Sequence, residues 1–118
     1  MQKLNQKYIS LIVKKALDED LKPNGDITTN LISFKNKKTT AKIIAKQNGV
    51  IAGLDFCRTT FKTVGKEAIF ISKVKDGYKV KKNKVIAEIK AKTKTILTAE
   101  RTALNFLNHA SGIASLTN

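Results

Sequence analysis

Residues 39–65, TTAKIIAKQNGVIAGLDFCRTTFKTVG, change their hydrophobic period once, and that change decides the fold. Thr39, Ala41, Ile43 and Ala45 alternate with Thr40, Lys42, Ile44 and Lys46, the two-residue repeat of a strand with one wetter side. Asn48-Gly49 is a strong turn dipeptide, so Val50-Ile51-Ala52 is expected to resume as an antiparallel return or a short continuation. After Gly53, Leu54, Cys57, Phe61 and Val64 fall at three- and four-residue steps, which predicts a helix ending at Gly65. Arg58 falls on the polar side of that helix and is read as solvated.

Upstream, Leu4, Tyr8, Leu11, Ile12, Lys15, Ala16 and Leu21 carry the helical spacing and predict an amphipathic helix over residues 5–20. Pro23-Asn24-Gly25-Asp26 stops it. Asp26 is expected to cap a short turn carrying Leu31 and Ile32 inward, a metal or phosphate contact being the other use of that carboxylate. Downstream, EAIFISKVK (67–75) alternates again, and Asp76-Gly77 marks a tight turn into YKVKKNKVIAEIKAK. Helix, strands, helix, strands, helix, with hairpin-length turns between strands, predicts an α+β fold with an antiparallel sheet. Within it, DGYKVKKNKVIAEIKA resembles half of a biotinyl or lipoyl carrier domain, which implies a similar hairpin. The Ala-Met-Lys-Met or Asp-Lys-Ala setting of a modifiable lysine is absent from it, so carrier function is not expected.

At 118 residues and 42% hydrophobic content, one domain with a modest core is expected. No stretch approaches the roughly 20 apolar residues of a membrane span, and MQKLNQKYISLIVKK has neither an h-region nor a small-residue cleavage site. A soluble, unexported, cytoplasmic protein is the expectation. Cys57, the single cysteine, has no disulfide partner and no nearby Cys or His for a metal site, so burial is its expected role. The net charge of +14 asks for an anionic partner. The lysines are spread in ones and twos, with KNKK (35–38) and KVKKNK (79–84) the densest clusters. Two arginines and 6% aromatic residues are thin equipment for binding nucleic acid, so solvated lysine faces are read ahead of such a surface.

The last stretch breaks this pattern. All lysines lie at or before Lys94, and from Thr95 onward the charged side chains are Glu100 and Arg101. Residues 95–116 have the spacing of a long helix, with Ile96, Ala99, Ala103, Leu107, Ala110 and Ala114 as its apolar stripe and Leu97, Leu104 and Phe106 on its flanks. Thr98, Arg101, Asn105, Asn108 and Gly112 share a second face that is polar but almost uncharged. Amides with a lone arginine suit a covered polar surface, where a guanidinium grips a carboxylate or phosphate through two parallel hydrogen bonds. His109, one step off this face, is expected to pack rather than catalyse.

Glu100-Arg101-Thr102-Ala103-Leu104-Asn105-Phe106-Leu107, followed by Ser111-Gly112-Ile113-Ala114, closely resembles the signature of the quinolinate phosphoribosyltransferases. ALDEDLKPNGDITTNLI (16–32), AKQNGVIAGLDFCRTTF (45–61) and VKDGYKVKKNKVIAEIKAKTKTILTAER (74–101) agree with that family in order and spacing. The resemblance implies a two-layer α/β sandwich, hammerhead-like, as a single N-terminal domain over residues 1–118, with the family's C-terminal β/α barrel absent. It implies transfer of a phosphoribosyl group from phosphoribosyl pyrophosphate to quinolinate, with Mg2+ on the pyrophosphate and loss of carbon dioxide to give nicotinate mononucleotide. It also implies a homodimer in which this domain covers the partner's barrel and Arg101 reaches a quinolinate carboxylate. No magnesium ligand and no residue acting directly in the chemistry falls in this chain, which is expected to be inactive alone. A related molybdenum-transport protein and a stand-alone basic nucleic-acid module are the rival readings.

Overall fold

The computed structural model describes residues 5–21, 37–111 and 114–117; for Leu21 and from His109 onward the description is of backbone alone. Helix α1 spans Gln6–Leu21, β1 Lys38–Ala45, β2 Gly49–Val50 and α2 Leu54–Val64. They are followed by β3 at Ile69–Ser72, β4 at Lys79–Val80, β5 at Val85–Lys92, α3 at Thr93–Ser111 and β6 at Ala114–Thr117. The turn expected around Asp26 lies outside the described residues.

The sheet is antiparallel, in the order β3-β5-β1-β6, and β2 and β4 form a separate antiparallel pair. The strands expected from alternation are therefore present, but their partners differ from expectation. Val50 does not return along β1; it pairs with Lys79. Every pairing among the described residues joins strands that are not consecutive in the chain, so the expected hairpins are absent from them, including the one implied by the carrier-domain resemblance, whose β4 and β5 lie in different sheets. Local alternation reports which face of a strand is buried, whereas partners are chosen by long-range packing.

Ala41, Ile43 and Ala45 of β1 and Ala87, Ile89 and Ala91 of β5 face the helices and are buried. The alanines keep that surface low, so α2 and α3 close onto it through Leu54, Cys57 and Phe61 and through Ile96, Ala99, Ala103 and Leu107. Strict alternation fails once in β5. Ile43 is opposite Ala87 but Ile44 is opposite Val85, a bulge that leaves Ile86 as the extra residue and buries it beside Ala87. Helix α1 lies over the other two helices, with Ile9, Val13 and Leu17 against Phe56, Val64 and Phe106, so its buried face is not the one the spacing of Tyr8 and Leu11 predicts, and those two side chains are exposed. The Phe56 and Phe106 rings stack at 5.1 Å.

Several helix ends are fixed from a distance. Asn5 caps α1 locally, its Oδ1 accepting the Lys7 amide at 2.7 Å. Helix α2 begins after Gly53, at φ 92°, and its Leu54 amide donates to Asp76 Oδ1 at 3.2 Å. Asp76 sits in the Asp-Gly turn, where Tyr78 N donates to Lys75 O at 3.1 Å and Gly77 takes φ 93°. At the other end of α2, Gly65 has an extended backbone, and its necessity is steric. A Cβ there would lie 2.5 Å from Thr95 Oγ1 and 2.7 Å from Glu67 Oε1.

Helix α3 has no acid in its first turn, and Glu67 supplies one from the β3 approach. Its Oε2 accepts the Thr95 hydroxyl at 2.9 Å and the Lys92 amide at 3.1 Å. Burial works to raise the Glu67 carboxyl, but the bonds from Lys92 N and Thr95 and the nearby Lys92 charge outweigh it and hold it below the usual value of 4.5. A carboxylate depressed by folding contributes stability above its unfolded value and loses it as pH falls through the folded one. The stability gap between the wild type and Glu67→Gln is therefore expected to narrow below about pH 4.5, as read by thermal melts across an acid series.

Helix α3 ends at Ser111, not at residue 116 as its apolar spacing predicts. Residues 114–117 pair with Lys42–Ala45 and satisfy the backbone groups on that side of β1. Small residues such as Ala114 and Ser115 fit a helix stripe and a strand equally well, so the sequence period does not separate the two.

Candidate functional site

The site is built on α3. Its buried stripe is the expected one as far as side chains are described: Ile96, Ala99, Ala103 and Leu107 are at most 3% exposed. On the polar face Arg101 and Asn105 are exposed, whereas Thr98 and Asn108 are half-buried. Gly112 and the His109 side chain lie outside the described residues. Among the described residues the ion pairs are Arg58–Asp55 at 2.9 Å and Lys73–Glu88 at 3.9 Å. Arg101 enters neither, and Glu100, one position away, does not pair with it. A guanidinium outside the ion pairs of the described residues thus projects from a helix flank that carries no lysine after Lys94.

Two neighbours refine that surface. Thr98 Oγ1, one turn before Arg101, is buried and has no hydrogen-bond partner among the described residues. Thr102, next to Arg101, is 1% exposed, and its hydroxyl donates to Asp20 Oδ2 at 2.6 Å. Asp18, Glu19 and Asp20 occupy the last turn of α1, where no basic residue offsets them and the helix dipole disfavours negative charge by about 0.3–1 kcal/mol each. The bond to Thr102 gives one of these carboxylates a use: it fastens the end of α1 to α3 beside Arg101. Nothing in the sequence period links positions 20 and 102.

The other residues singled out in the sequence are accounted for. Arg58, read as solvated, is partly exposed and held by Asp55. It borders an open cleft of about 410 Å³ between α1 and α2, where Gln6 donates to Thr59 at 3.0 Å and Lys62 to the Ala68 carbonyl at 3.0 Å. Cys57 is buried, and burial pushes its thiol up to about 12, so it is a packing group and not a nucleophile. Among the described residues no group of three or more His, Cys, Asp or Glu side chains could hold a metal ion. Nor is any described helix long and apolar enough to cross a membrane.

Comparison with known proteins agrees with this layout. The family model described as "Quinolinate phosphoribosyl transferase, N-terminal domain" matches residues 26–111. A probable nicotinate-nucleotide pyrophosphorylase (carboxylating) of Methanocaldococcus jannaschii is 41% identical over 112 residues, covering 94% of this chain and 38% of its own length. A quinolinate phosphoribosyltransferase of Nicotiana tabacum is 32% identical over 106 residues, covering 90% of this chain and 30% of its own. The crystal structure of NadC from Streptococcus pyogenes superposes with a TM-score of 0.85 at 34% identity, over 92% of this chain and 39% of that one. The chain thus spans less than two-fifths of the length of these relatives, and the part it spans is the α+β domain described above, without a barrel. With the family model covering most of its length, the chain belongs to the quinolinate phosphoribosyltransferase family, of which it carries the N-terminal domain.

Proposed function

We propose that this chain is the substrate-covering and dimerisation domain of a quinolinate phosphoribosyltransferase. The reaction joins quinolinate to phosphoribosyl pyrophosphate and releases nicotinate mononucleotide, carbon dioxide and pyrophosphate. The observation that carries the proposal is Arg101, exposed and outside the ion pairs of the described residues, within a Glu-Arg-Thr-Ala-Leu-Asn segment on α3. Quinolinate is a dianion. A planar guanidinium that reaches one of its carboxylates through two parallel hydrogen bonds fixes the orientation of the ring and neutralises one charge.

The remaining parts of the proposal lie outside the described chain. A barrel supplies the chemistry, a second copy of the protein presents the barrel that this domain covers, and magnesium accompanies the pyrophosphate there. The net charge of +14 draws two anionic substrates toward the assembly. The cytoplasm is the proposed compartment, in keeping with a single buried thiol.

A fusion tests this reading. Placed ahead of the rest of the Methanocaldococcus jannaschii relative, in exchange for that protein's own N-terminal domain, the chain is expected to yield nicotinate mononucleotide from quinolinate and phosphoribosyl pyrophosphate. The 118-residue chain alone is expected to yield none. Product from the chain alone would overturn the domain assignment, and a folded fusion that makes none would overturn the assignment of substrate.

A further inference from the structure

The densest lysine cluster of the described residues is concave. Lys73, Lys79, Lys81, Lys82 and Lys84 line, with Tyr78, an open cleft of about 600 Å³. Residues 73–84 hold six lysines and one acid, Asp76. The Asp76 carboxylate already accepts the Leu54 amide, and among the described residues only Lys73 has a carboxylate near, Glu88 at 3.9 Å. The cluster is therefore left almost wholly uncompensated.

Its backbone is also pinned. Asn83 N donates to Ala45 O at 2.7 Å, Ala45 N to Lys84 O at 2.9 Å, and Lys82 N to Asn48 Oδ1 at 2.9 Å. Asn83 closes the turn in the left-handed region at φ 76°. On a loose loop, like charges move apart. Here the turn is tied to the end of β1, so the lysine stems leave from fixed points around one concavity. Tyr78, 54% exposed, adds a ring at its wall.

We propose that this cleft binds an oligophosphate, a compact anion whose several charges answer ammonium groups of which, among the described residues, only that of Lys73 has a carboxylate near. The volume falls in the range of small-molecule sites, about 300–1,000 Å³. Strongly hydrated ammonium groups on flexible stems match phosphate oxygens as point charges. Inorganic oligophosphate and a nucleoside triphosphate share this chemistry, and Tyr78 separates them, because only the second has a base to stack on a ring.

The test is titration of the 118-residue chain with inorganic tripolyphosphate and with ATP, followed by calorimetry. Replacing Lys79, Lys81 and Lys82 with Ala together is expected to weaken both anions by about tenfold or more. Removing an equal charge elsewhere, as Lys14, Lys15 and Lys42 to Ala, is expected to change binding by less than about threefold. Thermal melts establish that both variants fold. Equal losses in the two variants would overturn the proposal, since net charge would then account for binding, and so would failure of tripolyphosphate to saturate. Tyr78→Ala weakening ATP alone identifies a nucleotide as the natural class; no effect on either anion identifies inorganic oligophosphate.

Discussion

Arg101→Ala in the fusion enzyme is expected to lower kcat/KM for quinolinate by roughly 30- to several thousand-fold, the equivalent of about 2–5 kcal/mol for truncating one partner of a desolvated charge pair. The domain should fold as before, because Arg101 is exposed and enters no ion pair among the described residues. Equal thermal melts of the variant and the wild-type domain would establish this. Arg101→Lys separates charge from geometry: an ammonium keeps the attraction but not the two parallel bonds, so it should recover only part of the loss. The effect should depend on quinolinate and not on phosphoribosyl pyrophosphate, whose KM is expected to move little. An Arg101→Ala enzyme within about threefold of wild type would remove the residue from the substrate site.

The largest stability loss is expected at Phe61. Its side chain is fully buried in the helix face that closes on the sheet, and its ring lies 6.2 Å from that of Phe70, tilted by 33°. Phe61→Ala should cost about 3–5 kcal/mol through lost burial and the cavity left behind. A domain of ordinary stability holds only about 5–15 kcal/mol, so the variant would stand near the edge of folding. Strand β3 should suffer first, because Ile69 and Ile71 are exposed and Phe70 is its main inward anchor. A melting temperature lowered by roughly 10–20 °C is the expected reading, and a shift below about 4 °C would mean that the site collapses around the gap.

Much of this architecture was legible in the sequence because burial imposes a period. Ala41, Ile43 and Ala45 alternate with wetter positions, and Leu54, Cys57 and Phe61 step along one helix face, so β1 and α2 could be placed from residue order alone. Strand pairing was not legible, since the partner of Val50 lies 29 positions away at Lys79 and no local pattern encodes it. The same holds for the bulge at Ile86 and for β6, whose small residues fit two kinds of structure. Arg101 could be singled out because it is the only cation after Lys94 and stands in a recognisable segment. Its support from Thr102 and Asp20 could not, because that bond closes a span of 82 residues.

Strand β6 bears on the helix that carries Arg101. Both β5 and β6 run antiparallel to β1 and flank it, so they run parallel to each other, with α3 as the crossover between them. The arginine thus rides near the middle of a split β-α-β unit, about 12–15 Å along the axis from either end of the helix. A helix secured at one end can pivot; one whose two ends enter the same sheet on either side of a shared strand cannot slide or swing without breaking a ladder. The recoil of an anion bound at Arg101 would be taken up by a sheet rather than by a hinge.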